Sequence, residues 1–295
     1  MLKQAVKDVM EGRGISLTKL SSSLGISTSA LSQWINDTYS GNVNKIETAV
    51  KSFLEHEREK LSVKKRRFKF VMTMPAKRLF EVARLCHIKC EPGVAYGQSG
   101  IGKTTAVMEY VRKYPATVLI ESDQTCTLKT ILSTLNRKLG FSGAGSTNSL
   151  FMECVEKLKD SDRLVIIDEA EHLSIRALEQ LRRLNDFAHI GVLFVGMPRL
   201  MHKFQGLRGT FEQIFNRAVG NVAQIEQPKI SDFEALLEAN GESKELAKHY
   251  HEASGANTRI FSKLYDRCYD TAQINERNID STIIKTVAHR MMLMV

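Results

Sequence analysis

Apolar residues recur three and four positions apart through the first sixty residues, in Leu2–Val6–Val9, Leu17–Leu20–Leu24 and Ala30–Leu31–Trp34–Ile35. That spacing places them on one face of successive helices, and Gly14, Gly25 and Gly41 punctuate the pattern. A charged helix, "IETAVKSFLEHEREKL", follows, then a basic segment and Pro75. From about Ala76 the period changes. Short apolar runs, "GVAY", "ATVLI", "RLVII" and "GVLFVG", alternate with amphipathic helical stretches, which predicts a parallel sheet covered by helices. After Pro228 the strand pattern stops, and helices are expected in "SDFEALLEANG", "ESKELAKHYHEASG", "NTRIFSKLYDRCYDTAQ" and "DSTIIKTVAHRMMLMV". The division expected is therefore a small all-α domain at 1–60, a basic linker at 61–75, an α/β core at 76–228 and a helical lid at 229–295. The methionines near the C-terminus read as gap-filling core residues of that lid.

Composition changes this picture little and charge changes it more. The 295 residues are 43% hydrophobic and 25% charged, ordinary for a globular chain. The formal net charge is +9, and residues 61–95 alone carry +7 of it, centred on "KKRRFK" at 64–69. A short run of that density suits a polyanionic partner. Five cysteines, an odd number, do not argue for a disulfide framework. "CHIKC" at 86–90 lacks a second Cys/His pair at zinc-ligand spacing, so no metal is read there. The N-terminus lacks the apolar core of a signal peptide, and no run approaches the roughly 18 apolar residues of a membrane span. A cytoplasmic location without membrane contact is expected.

"GQSGIGKT" at 97–104 fits G-x-x-x-x-G-K-[ST] at every fixed position and lies between a strand and a helix. Glycines let backbone N–H groups of Gly97, Gln98, Ser99, Gly100, Ile101 and Gly102 turn toward phosphate oxygens, and the helix N-terminus running into Thr105 adds positive potential. Lys103 is expected to neutralise the β- and γ-phosphates of ATP, and Thr104 to offer its hydroxyl to Mg²⁺, an ion that usually keeps several waters. "RLVIIDEAEHL" is an apolar strand ending in two acids. Asp168 is expected to hold the Mg²⁺ through water, and Glu169 to polarise the attacking water as general base. A nucleoside-triphosphate hydrolase is the activity these two motifs predict together.

A second candidate site lies in "LTKLSSSLGISTSALSQWIND". Leu17–Leu24 gives one helix, Gly25 a left-handed turn, and Ser27–Asn36 a second helix capped by Ser27 or Thr28. With Leu31, Trp34 and Ile35 buried, Thr28, Ser29, Ser32 and Gln33 point toward a duplex. That face lacks arginine and lysine, so bidentate reading of guanine is absent and sequence preference should be modest. Lys64, Lys65, Arg66, Arg67 and Lys69 would neutralise phosphates, with steep salt dependence. Arg176, Arg182 and Arg183 form a basic helix face that either lines a DNA-facing groove or is solvated.

The order of P-loop, acidic strand, helix, strand and helical lid resembles the AAA+ family of oligomeric ATPases. That resemblance implies three further roles. A polar residue after the fourth strand contacts the γ-phosphate or the lytic water; here the position offers Met197, a departure. Arg217, with Arg208 as its competitor, corresponds to an arginine finger acting on a neighbouring subunit. Arg259, opening a lid helix, corresponds to a sensor in its own subunit. The helix-turn-helix, basic linker and compact ATPase module together resemble the Mu B transposition protein family, most specifically in "ISTSALSQWINDTYSG", "GQSGIGKTTA", "LVIIDEAEHLSIRALEQLRRLND" and "SGANTRIFSKL". The family implies an ATP-dependent homo-oligomer, filament or ring, on double-stranded DNA in a bacterial cell, which recruits and stimulates a DDE transposase and is released on hydrolysis. Two alternatives stay open at this stage: a helicase loader of the small AAA+ type, and a transcription regulator that uses ATP as a switch.

Overall fold

A computed structural model describes residues 2–62, 68–205 and 221–293, in two compact units, Met1–Arg67 and Phe68–Val295.

The first unit is helical: α1 (Leu2–Arg13), α2 (Leu17–Leu24), α3 (Thr28–Ile35) and α4 (Val43–Ser62). Ser16 and Ser27 cap α2 and α3 by accepting the N–H groups of Lys19 and Ala30, each filling an otherwise orphaned donor. Gly25, at φ 65°, ends α2 in the left-handed conformation that lets the chain turn into α3. Val6, Leu20, Leu31, Trp34, Ile46 and Val50 form the core, each 2% exposed or less. Arg13 on α1 pairs with the buried Glu57 on α4.

The second unit is built on a five-stranded, all-parallel sheet: β1 (Pro92–Tyr96), β2 (Val118–Glu121), β3 (Leu164–Asp168), β4 (Gly191–Gly196) and β5 (Val222–Gln224), in the order β2-β3-β4-β1-β5. Its strands read as continuous apolar runs because both faces are covered. Side chains alternate between two cores. Val165, Ile167, Val192 and Phe194 face one core with α7 (Leu128–Lys138), α8 (Thr147–Leu158) and α9 (Ile175–Ala188). Leu164, Ile166, Leu193 and Val195 face the other with α5 (Met74–Lys89) and α6 (Lys103–Lys113). Tyr96 pairs with Gly196, and Glu121 with Asp168. The carboxyl ends of β1, β3 and β4 therefore open on one edge, where ligands of such sheets bind.

After α10 (Pro198–Gln205) and β5 come α11 (Ile230–Ala239), α12 (Ala247–Ser254), α13 (Thr258–Ile274) and α14 (Ser281–Arg290). Phe233, Tyr250, Phe261, Leu264 and Ile284, all 1% exposed or less, are at their core. The linker expected at 61–75 overlaps this unit. Phe68 packs against Phe261 and Tyr265, with ring centroids 5.3 and 4.9 Å away. The Lys69 N–H donates to Asn240 Oδ1 at 3.2 Å and the Met74 N–H to the buried Asp232 Oδ1 at 2.7 Å. Residues 68–74 thus tie the C-terminal helices to α5. Cys86 sits in the core, where burial pushes its thiol up to about 12, and His87 shares a 3.1 Å hydrogen bond with the Tyr110 hydroxyl; both residues of "CHIKC" serve packing. No helix among the described residues is long and apolar enough to cross a membrane.

Candidate active site at the carboxyl edge of the sheet

The loop between β1 and α6 is shaped by Gly100 and Gly102, at φ 79° and 94°, values a side chain adopts only with strain. Ser99 through Thr105 line a cavity of about 510 Å³ together with Asp168 and Glu169. Gly97 and Gln98 contribute differently: their carbonyls each accept a 2.7 Å hydrogen bond from Lys103 Nζ, which folds over its own loop. Ile101 is buried among core residues. Burial holds the Lys103 ammonium below the ordinary lysine value; Asp168, Glu171 and Glu169 oppose that shift, and Arg259 adds to it.

At the end of β3, Thr104 Oγ1 donates to Asp168 Oδ2 at 2.8 Å, and the Glu169 N–H donates to Asp168 Oδ1 at 2.9 Å. A hydroxyl and a carboxylate so close are hard oxygen donors of the kind Mg²⁺ takes. Among the described residues no three His, Cys, Asp or Glu side chains cluster as a metal cage. Glu169 is left-handed, φ 54°, and its carbonyl accepts the Ser122 hydroxyl at 2.8 Å. Its side chain is 54% exposed, with Oε2 3.6 Å from His172 Nε2; it is open to water.

Burial raises the Asp168 carboxyl above the ordinary aspartate value, against the hydrogen bonds from Thr104 and the Glu169 N–H. A folded-state pKa above the unfolded one contributes stability that is fully present below the unfolded value of about 3.9 and is lost as pH rises through the folded value. At neutral pH the ionised Asp168 is therefore a local cost that a bound cation offsets. Asp168→Asn should melt higher than the parent without nucleotide and gain less from added Mg·ATP. A thermal melt in which the variant is less stable without nucleotide contradicts this.

The C-terminal helices close on the loop. The Thr258 N–H and hydroxyl both donate to the Gly100 carbonyl, at 2.8 and 2.7 Å, and Asn257 Nδ2 donates to the Ser99 carbonyl at 3.2 Å. Asn257 also caps α13, so one side chain fixes both the helix and the loop. Arg259, one residue on, lines the cavity, as do Met197 at the end of β4 and Lys69. Lys69 thus stands beside the nucleotide cradle rather than in a free linker. Nothing in the sequence pattern signalled the Asn257–Thr258 contact.

The expected DNA-facing residues divide. Ser29 and Gln33 are exposed on α3, and Thr28 and Ser32 are half-buried, Thr28 sharing a 2.8 Å hydrogen bond with the Ser21 hydroxyl. Arg182 departs from its expected outward role: its side chain is 10% exposed and engaged by Glu179 at 2.9 Å and Asp186 at 2.8 Å on the same helix. Arg176 is exposed, and Arg183 lies over the Phe187 ring, 5.1 Å from its centroid. Lys64, Lys65, Arg66, Arg67, Arg208 and Arg217 lie outside the described residues.

A family model described as an AAA domain matches residues 88–204, the stretch that carries the loop, the acidic strand and β4. The chain is 28% identical over 277 residues to the Mu-like prophage FluMu DNA transposition protein B of Haemophilus influenzae, covering 90% of this chain and 93% of that protein. It is 28% identical over 265 residues to the ATP-dependent target DNA activator B of Escherichia phage Mu, covering 86% and 84%. Among solved structures, the Thermotoga maritima RuvB Holliday junction branch migration motor aligns with a TM-score of 0.48 at 13% identity, over 73% of this chain and 67% of that one. The chain thus carries an AAA-type P-loop ATPase domain at 88–204 and, over most of its length, is similar to proteins named for Mu-type DNA transposition.

Proposed function

We propose that this protein is an ATP-dependent DNA-binding ATPase that coats target duplex as a homo-oligomer, recruits and activates a transposase, and leaves the DNA when ATP is hydrolysed. The observation that carries the reading is the similarity over most of the chain to relatives named as ATP-dependent target DNA activators, joined to a cavity bounded by Lys103, Thr104, Asp168 and Glu169. In this reading Lys103 holds the phosphates, Thr104 offers its hydroxyl to Mg²⁺, Asp168 holds that ion through water, and Glu169 activates the lytic water. Arg259 acts on the nucleotide of its own subunit and Arg217 on that of a neighbour.

Ser29 and Gln33, with Thr28 and Ser32 beside them, are the proposed duplex-facing residues of α3. The "KKRRFK" run supplies phosphate neutralisation, so affinity should fall steeply with salt. The excess charge at 61–95 and the absence of arginine from α3 favour broad coating over tight recognition of one operator. The transposase arm is tested by strand transfer with a Mu-type transposase onto bare duplex and onto duplex preincubated with protein and ATP. Stimulated transfer only on the preincubated duplex is the expected result. Equal transfer on both removes the recruitment role.

A further inference from the structure

At the carboxyl end of β4 the chain passes through Gly196, Met197 and Pro198 into α10. Met197 lines the cavity, but a thioether donates no hydrogen bond and has nothing to offer a phosphate oxygen. Two residues on, Arg199 also lines the cavity, its side chain 53% exposed. One guanidinium nitrogen lies 3.4 Å from Glu171 Oε1 and 3.3 Å from His172 Nε2.

Glu171 is the unusual partner. Its side chain is 3% exposed, and Oε2 has no hydrogen-bond partner among the described residues. A buried carboxylate left half satisfied is costly. A 3.4 Å contact is also long for a charge-assisted hydrogen bond, which closes to about 2.7–2.9 Å when nothing competes. The Glu171 backbone is fixed independently, because Lys203 Nζ donates to the carbonyls of Glu171 and Leu173 at 2.5 and 2.8 Å. The pair therefore holds a cation at the cavity wall with most of its five donors unspent. Glu171, Met197 and Arg199 line the same cavity as Lys103, Thr104 and Asp168, the groups assigned to the phosphates and their cation. The segment Phe68–Val71 lines it with two aromatic rings and a valine around the single cation Lys69.

We propose that Arg199 donates to the terminal phosphate of bound ATP, supplying the polar contact that Met197 cannot, while the buried Glu171 holds its guanidinium at the cavity wall. This rests on the ATP-site reading above and deepens it. The contact exists only when a third phosphate is present, so it discriminates ATP from ADP.

The test is calorimetric titration of the full chain with Mg·ATP and with Mg·ADP. Arg199→Ala should weaken ATP about tenfold to a hundredfold, the worth of a charge-assisted hydrogen bond, and leave ADP within about twofold. Arg199→Lys, which keeps the charge but not the planar fork, should recover part of the ATP affinity. Equal loss of both nucleotides, or no loss of either, overturns the proposal. Should the alanine variant fail to fold, Arg199→Gln is read by the same criterion. Failure of the ATP-site reading looks different: the parent protein then binds neither nucleotide.

Discussion

Glu169→Gln is expected to keep Mg·ATP affinity and to lower turnover by about 10²–10⁴-fold, the usual worth of a general base. The amide preserves the side chain's shape and removes only its capacity to take a proton. Binding should persist because the phosphate contacts come from the loop and Lys103 and the cation contacts from Thr104 and Asp168, which touch each other directly. Glu169 stands next in sequence, at a left-handed backbone position held by the Ser122 hydroxyl, with its carboxylate half open to water. Strained positions of this kind persist where the surroundings over-determine them. Steady-state phosphate release with a parallel binding titration separates the two effects; unchanged turnover would take the base role away from Glu169.

Gly100→Ala is expected to lower ATP affinity at least about tenfold and to loosen the C-terminal helices as well. An alanine at φ 79° carries the left-handed penalty of roughly 1–2 kcal/mol. Its Cβ would also lie 2.1 Å from Asn257 Oδ1 and 2.2 Å from Nδ2, so Asn257 must move. Moving it breaks the contact to the Ser99 carbonyl and the cap on α13, and lost caps cost about 0.5–2 kcal/mol. The sum of roughly 1.5–4 kcal/mol corresponds to about one to three decades of affinity if it falls on the bound state. Combining Gly100→Ala with Asn257→Ala should relieve the overlap but not the backbone strain, so the double variant binds ATP better than Gly100→Ala alone. Nucleotide titration and thermal melting check both; a Gly100→Ala protein indistinguishable from the parent contradicts the described clasp between loop and helix.

Much of this was legible because local pattern and tertiary role coincide. The apolar runs that become β1 to β4 are buried on both faces, so they stand out in the sequence, and the loop glycines announce their own backbone. Helix α2 spans Leu17–Leu24 as the spacing predicted, and α3 begins and ends one residue inside the expected Ser27–Asn36. β5 was missed because three residues, held by pairing with β1, carry no periodicity of their own. The grip of Asn257 and Thr258 on the loop joins residues 158 positions apart, beyond the reach of any local signal. Two other departures did leave signals. Glu179 and Asp186 stand three residues before and four after Arg182, the helical spacing at which carboxylates capture an arginine. Phe68 and Phe70 flank Lys69 with aromatic rings, a pattern better suited to packing than to a solvated linker.

Whether ATP governs how long this protein stays assembled on DNA is decided by duplex binding with ATP, with ADP and without nucleotide, read by sedimentation and electron microscopy on random-sequence DNA. Extended coating is expected with ATP, little binding with ADP or no nucleotide, and persistence of the ATP complex in Glu169→Gln. A discrete complex on one sequence, or coating indifferent to nucleotide, would contradict it.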